Sequence, residues 1–247
     1  YTLHTLFPYT TLFRSVMKIG KIVRNNVKVS RVIAFGGKNV SVKNILDAVE
    51  EKDGKFIGVN APKSGVYNEG YQVIHMGYGV NSKVQAPTIL GKKGVFVSLL
   101  GKVADIVSND YGKSTSCVDT KDVMELTIKE IQNTKSGFIC TNVQETDLAG
   151  HEQNTKKYAE KLIIADKYIG RIMEILDGND RLVVMADHGN DPTIGHSHHT
   201  REYVPILLYG KDLKPNYLGK RKTLSDVGAT VVKYFNCENT ENGHSFL

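Results

Sequence analysis

Apolar and polar positions fall into alternating blocks along the second half of the chain. VFVSLLG (Val95–Gly101) is a short apolar run stopped by glycine, the pattern of a buried strand. A helix is predicted over about Thr120–Asn133, and GFICTNV (Gly137–Val143) is a run rich in β-formers. From about Gln153 to Leu176, apolar residues recur at helical spacing: Tyr158, Leu162, Ala165, Ile169, Ile172 and Leu176. RLVVMA (Arg181–Ala186) and YVPILLYG (Tyr203–Gly210) are two further strand candidates, and a last helix fits about Ser225–Phe235. Strands that are apolar nearly throughout and alternate with helices predict an α/β fold, a mainly parallel sheet flanked by helices. In such sheets ligands bind outside the carboxyl ends of the strands.

The first half reads differently. From about Lys38 to Gln85 the chain is rich in Gly, Asn and Tyr and lacks sustained periodicity, as expected of short strands with long connections. One amphipathic helix is predicted at Ser41–Glu51, with Ser41 as its cap. Residues 16–95 are therefore expected to form a smaller α+β accessory domain, and residues 96–247 the larger α/β domain. The first fifteen residues, YTLHTLFPYTTLFRS, carry one charge, Arg14, and lack the basic start, apolar stretch and cleavage site of a secretory signal. They read as a non-native leader joined to the chain near Val16, with the natural amino-terminal part replaced.

Composition narrows the function classes. The chain has 247 residues, of which 40% are hydrophobic and 23% charged, ordinary values that exclude wholesale disorder. No run approaches the roughly 18 apolar residues that a membrane span needs. Cys117, Cys140 and Cys237 are far apart and form neither a metal motif nor a disulfide framework, which favours a reducing, cytoplasmic setting. The formal charge of +6 is spread along the chain. It suits phosphorylated small molecules and lacks the dense basic blocks of nucleic-acid binders.

The candidate chemistry lies at strand ends. QETDLAGH follows one strand, with Asp147 and His151 four apart. DHGND follows another, with Asp187 and His188 adjacent and Asp191 nearby, while GHSHHTRE, with His196, His198 and His199, precedes the last strand. Carboxylate oxygen and imidazole nitrogen together suit Mn, Zn or Fe(II), and enough donors are present for two ions that would bind phosphate oxygens. Taken singly, each cluster also fits a helix cap, a turn or an exposed loop. Their coincidence at strand boundaries, expected on one edge of one sheet, favours a metal centre.

At these residues the sequence resembles a family. VVMADHGNDPT, HTREYVPILLYG, TLSDVGATVVKYF and the terminal GHSFL are similar to phosphopentomutases of the alkaline phosphatase superfamily. LLGKVADIVSN (Leu99–Asn109) resembles the segment where that family's chain returns from its cap domain to the catalytic core. The similarity covers about Val97–Leu247, whereas residues 18–90 match the cap only in position.

The resemblance implies two divalent ions, Mn in this family. Asp147, His151 and His199 would bind one, and Asp187 and His188 the other. Lys102 and Arg201 would lie near a substrate phosphate. The implied reaction interconverts ribose or deoxyribose 1-phosphate and 5-phosphate through a phosphoenzyme. Two departures accompany it. The family spaces its first carboxylate and histidine five apart, so the spacing of four here is closer to cofactor-independent phosphoglycerate mutase. Nothing in residues 16–90 resembles the family's amino-terminal metal-binding aspartate or its phosphorylated Thr or Ser: Asp53 lies in a polar turn, and Ser64 and Thr88 lack the expected strand–turn–helix setting. No catalytic nucleophile is assigned, and the chain is expected to be an inactive carboxyl-terminal fragment. Two alternatives are a metal-dependent phosphatase or phosphodiesterase of the same superfamily, and a basic nucleic-acid-binding module. The favoured partner is a phosphorylated pentose or similar small molecule, with neither nucleic acid nor membrane.

Overall fold

The computed structural model describes residues 9–29 and 31–247. Residues 1–8 of the suggested leader lie outside the described residues. The described chain forms two compact units, one ending at Val80 and the other running from Asn81 to Leu247.

In the first unit, α1 (Tyr9–Asn26) runs without a break through Ser15 and Val16. Strands β1 (Arg31–Gly36) and β4 (Gln72–Gly77) pair antiparallel, from Arg31 opposite Gly77 to Gly36 opposite Gln72. Gly20 of α1 packs closely on β1 and β4: a Cβ there would lie 2.7 Å from the Met76 methyl and 3.0 Å from Ala34 Cβ. The helix expected over Ser41–Glu51 is only α2 (Val42–Leu46). Ser41 does cap it, exchanging hydrogen bonds with Asn44, but Val42, Ile45 and Leu46 are all exposed, so no apolar stripe is buried that would extend the helix. Residues beyond it instead form β2 (Val49–Lys52), which pairs with β3 (Phe56–Val59) in a hairpin. Asp53 and Gly54 close that hairpin at φ 58° and 61°, values that Asp-Gly tolerates well. Asp53 is thus a turn residue, as its sequence setting suggested.

The second unit opens with a 3-10 turn at Ser82–Val84 and α3 (Ala86–Lys92), in which Thr88 is buried. Strand β5 (Val97–Gly101), which the short helix α4 (Val103–Ile106) follows, is the middle of a three-stranded parallel sheet, between β6 (Lys113–Thr115) and β7 (Phe138–Asn142). Its residues are buried throughout, and their alternation feeds two cores. Leu100 joins Val123, Met124 and Ile128 of α5 (Thr120–Asn133) and Tyr168 and Ile172 of α7 (Thr155–Ile175). Val97 and Leu99 join Ile89 and Leu90 of α3 and Val232 of α8 (Ser225–Tyr234). Helices therefore cover both faces of the parallel sheet, the α/β class that the apolar runs predicted. Each fully buried Leu contributes on the order of 1.5–3 kcal/mol.

One expectation is corrected. Strand β8 (Leu182–Met185) pairs antiparallel with β9 (Ile206–Tyr209) and forms a two-stranded sheet of its own. The reason lies in the connection. Residues 186–205 contain no helix, and a parallel return normally needs a crossover element, whereas an antiparallel return needs only a loop. The histidine-bearing segment is that loop. Among the described residues no helix is long and apolar enough to cross a membrane.

Candidate metal centre

Helix α6 (Glu145–His151) starts three residues after β7 ends. The i, i+4 spacing of Asp147 and His151 puts both on one helix face, and Asp147 Oδ1 lies 3.3 Å from His151 Nε2. A half-buried clasp sets the helix in place. Glu145 accepts hydrogen bonds from the Thr120 main-chain N–H and hydroxyl, both at 2.8 Å, and pairs with Lys161. Burial alone would raise the Glu145 pKa, but the Lys161 ammonium and the two Thr120 donors hold it below the ordinary carboxylate value. One carboxylate thus joins the start of α5, the start of α6 and the middle of α7, two residues before Asp147.

The loop between β8 and β9 supplies the other donors. Its ends are held by a bridge from Gly189 to Thr200, with the Thr200 N–H donating to the Gly189 carbonyl at 2.9 Å. This bridge brings His188 and His199 face to face, their rings stacked at 3.7 Å. The Thr200 hydroxyl donates to Glu202 and accepts from the Asp191 N–H. His199 Nε2 lies 3.3 Å from Asp147 Oδ1 and 3.1 Å from His151 Nε2, and His188 Nε2 lies 3.9 Å from Asp147 Oδ1.

The protons in this cluster can be placed by chemistry. His151 Nδ1 lies 2.7 Å from the Ser197 carbonyl and His188 Nδ1 3.2 Å from the Gly189 carbonyl. A carbonyl only accepts, so both Nδ1 atoms carry the proton, and a neutral ring then offers a bare lone pair at Nε2. Those lone pairs face a carboxylate oxygen that also only accepts. One added proton satisfies one such contact; a divalent cation satisfies all of them together. The distances fit as well. Metal–ligand bonds of about 2.0–2.1 Å in a tetrahedral set place donors about 3.3–3.4 Å apart, against the 3.1–3.3 Å separations among Asp147, His151 and His199. Asp147, His188 and His199 also offer donor atoms that all lie within 4.8 Å of one another.

The expected residues are therefore not gathered equally. Asp147, His151, His188 and His199 converge. Asp187, expected beside His188, has its Oδ1 3.8 Å from His188 Nε2, with a side chain 68% exposed. His188 stands between the two carboxylates. His196 and His198 pair with each other at 5.6 Å between rings, away from the convergence. Asp191 turns its carboxylate to the Thr193 hydroxyl and N–H, which lower its pKa. Burial, then Glu202, Asp147 and Asp191, raise the Tyr158 phenol pKa, a sign of the negative field around the centre. Lys102 follows Gly101, whose φ of 80° lets the end of β5 press against the Asn142 carbonyl; it thus starts at the sheet edge from which α6 departs. Arg201 is exposed next to Thr200. Desolvation pushes the Cys140 thiol up to about 11. Two residues that residue-by-residue reasoning passed over, Glu145 and Asn190, lie inside the motifs QETDLAGH and DHGND. Nothing in their local sequence distinguished them; their partners Thr120, Lys161 and Asp147 are distant in the chain.

Comparison with known proteins bears on this arrangement. The profile of the metalloenzyme superfamily matches residues 58–239. A phosphopentomutase of Proteus mirabilis is 38% identical over 169 residues, covering 66% of this chain and 41% of the relative. One from Alkaliphilus oremlandii is 37% identical, covering 64% of this chain and again 41% of the relative. The chain thus spans about two-fifths of the length of these curated relatives. Among solved structures, Leishmania mexicana phosphoglycerate mutase at low cobalt concentration superposes with a TM-score of 0.50 at 16% identity, covering 65% of this chain and 38% of that one. That likeness concerns the fold.

Proposed function

Because the chain belongs to the metalloenzyme superfamily, we propose that it is part of a metal-dependent phosphomutase of the phosphopentomutase kind. The observation that carries this reading is the convergence of the His151, His188 and His199 Nε2 atoms on Asp147 Oδ1, a donor set that a divalent cation would bind together. Asp147, His151 and His199 hold one ion, and Asp187 and His188 contribute to a second, with Mn as the metal of first choice. Bound there, the ions supply Lewis-acid stabilisation of phosphate oxygens.

The substrate in this reading is ribose or deoxyribose 1-phosphate or 5-phosphate. Lys102 and Arg201 neutralise its phosphate, and residues 16–95 are the remnant of the cap that selects the sugar. A phosphorylated Thr or Ser gives its phosphoryl group to the free sugar hydroxyl, whose proton leaves. The resulting bisphosphate returns its other phosphoryl group to the enzyme hydroxyl. This chain spans about two-fifths of such a protein, and in this reading the nucleophile is assigned to none of its described residues. The chain by itself therefore binds metal without running the cycle.

Titration calorimetry with Mn²⁺ and assay with ribose 1-phosphate test both halves. The expected result is Mn²⁺ binding that His199→Ala weakens at least about 100-fold, beyond the 10–100-fold loss typical of outer-shell partners, and no ribose 5-phosphate formed. Equal affinity in wild type and variant would remove His199 from the ligand set. Ribose 5-phosphate formation would refute the assignment of the nucleophile elsewhere, and release of free phosphate would turn the reading toward hydrolysis.

A further inference from the structure

Asn190 lies between the two elements that carry the metal donors. It is 7% exposed. Its Nδ2 donates to the Asp147 main-chain carbonyl at 3.0 Å and to Asp147 Oδ1 at 2.7 Å. Oδ1 is the same carboxylate oxygen that faces the three imidazoles. The amide therefore grips both the backbone and the head group of one residue, fixing the carboxylate torsion, which is otherwise soft. It does so without charge. A Lys or Arg in its place would neutralise the negative oxygen that a cation needs; an amide donor leaves that charge intact.

The other end of the side chain is costly. Asn190 Oδ1 is buried with no hydrogen-bond partner, so its lost hydration is not made good. It packs against Gly150 of α6, where an added Cβ would collide with the amide carbon, oxygen and nitrogen alike. A buried amide that leaves its own acceptor unsatisfied, in a space that only a glycine provides, is held there for what its nitrogen does.

We propose that Asn190 is a positioning residue for the metal centre: it fixes Asp147 Oδ1 in the ligating orientation, and Gly150 reserves the room for it. The proposal rests on the metal reading of the site. Its reach extends to the chain's topology, because the same contact ties the loop after β8 to α6.

The test uses the full chain, stripped of metal and titrated with Mn²⁺ alone. Asn190→Asp keeps the size but loses the donor. If Asn190 only fills space, Mn²⁺ affinity stays the same or rises with the added negative charge; if it positions Asp147, affinity falls by about 10–100-fold. Asn190→Ala and Gly150→Ala are expected to weaken binding by a similar factor, and the double variant to be no weaker than the worse single, since both act through one contact. Wild-type affinity in Asn190→Asp, or losses that multiply in the double variant, would overturn the proposal. Should the Asn190 variants fail to fold, Gly150→Ala decides alone: unchanged affinity there overturns it. A wild-type chain that binds no Mn²⁺ defeats the metal reading itself and the proposal with it, whereas a wild type that binds beside unaffected variants removes only the role of Asn190.

Discussion

Two carboxylates in the second unit make an instructive pair. Asp226, on α8, is buried and surrounded by donors: Arg221 Nε at 2.8 Å and the His244 N–H at 2.8 Å. Arg221 also donates to the His244 carbonyl and lies over the Phe246 ring, and the Phe246 N–H donates to Thr230. Asp147 receives one amide donor and faces three imidazole nitrogens. The first carboxylate is complete as it stands and binds the chain's last residues to α8. The second has a single side-chain amide donor, Asn190, and otherwise faces ring nitrogens, an arrangement that the proposed cation would complete. The two thus differ in how many donors meet the carboxylate as well as in burial, Asp226 being buried and Asp147 partly exposed.

Removing the complete carboxylate gives the largest expected effect on stability. Asp226→Ala strands Arg221 and releases the terminal segment, so urea unfolding should show a loss of about 3–5 kcal/mol, with Mn²⁺ affinity unchanged. If Mn²⁺ binding disappears along with stability, the two carboxylates are not independent and the contrast is broken. The incomplete carboxylate should respond to ligand instead. Mn²⁺ at about 100 times its Kd should stabilise the wild type by about 2.7 kcal/mol, visible as a rise in Tm, and leave Asp147→Asn unmoved. The smallest effect is the pH response of the structural carboxylates. Burial would raise the Asp226 pKa, but the His244 N–H and the Arg221 guanidinium hold it below its ordinary value, and Glu145 is lowered likewise. Groups lowered on folding give stability that is fully present above their unfolded pKa values, about 3.9 and 4.3. That stability is lost as pH falls through the lower folded values. Unfolding free energy followed by fluorescence should therefore hold level from neutral pH to about 5 and decline below about 4. Asp226→Asn should make that decline shallower, and an identical slope would mean that Asp226 carries no charge-linked stability.

Much of this was legible in the sequence, and the legible parts share a cause. Thr120–Asn133 is observed as α5 and Ser225–Phe235 nearly so as α8, because each presents an apolar stripe that the sheet buries. Strand β5 was readable because all its positions are buried. Ser41–Glu51 misled because its large apolar residues Val42, Ile45, Leu46 and Val49 keep a helix-like spacing yet stay exposed, so pairing with Phe56–Val59 prevails after Ala48. At the candidate site, the residue types and their place at strand ends could be read, and Asp147, His151, His188 and His199 do converge. The antiparallel return of β9 could not be read, since YVPILLYG is apolar whichever way it runs. Nor could the grip of Asn190 on Asp147, a contact across 43 residues of sequence.

The bridge between Gly189 and Thr200 has one further consequence. It pins both rims of a loop whose interior, from Pro192 to His196, contributes nothing to the ring of converging nitrogens. Lengthening a flexible segment between fixed ends costs only a slowly growing, logarithmic entropy. This stretch is therefore where the protein can gain or lose residues, and with them new contacts to whatever approaches from solvent, while the four converging side chains stay where they are.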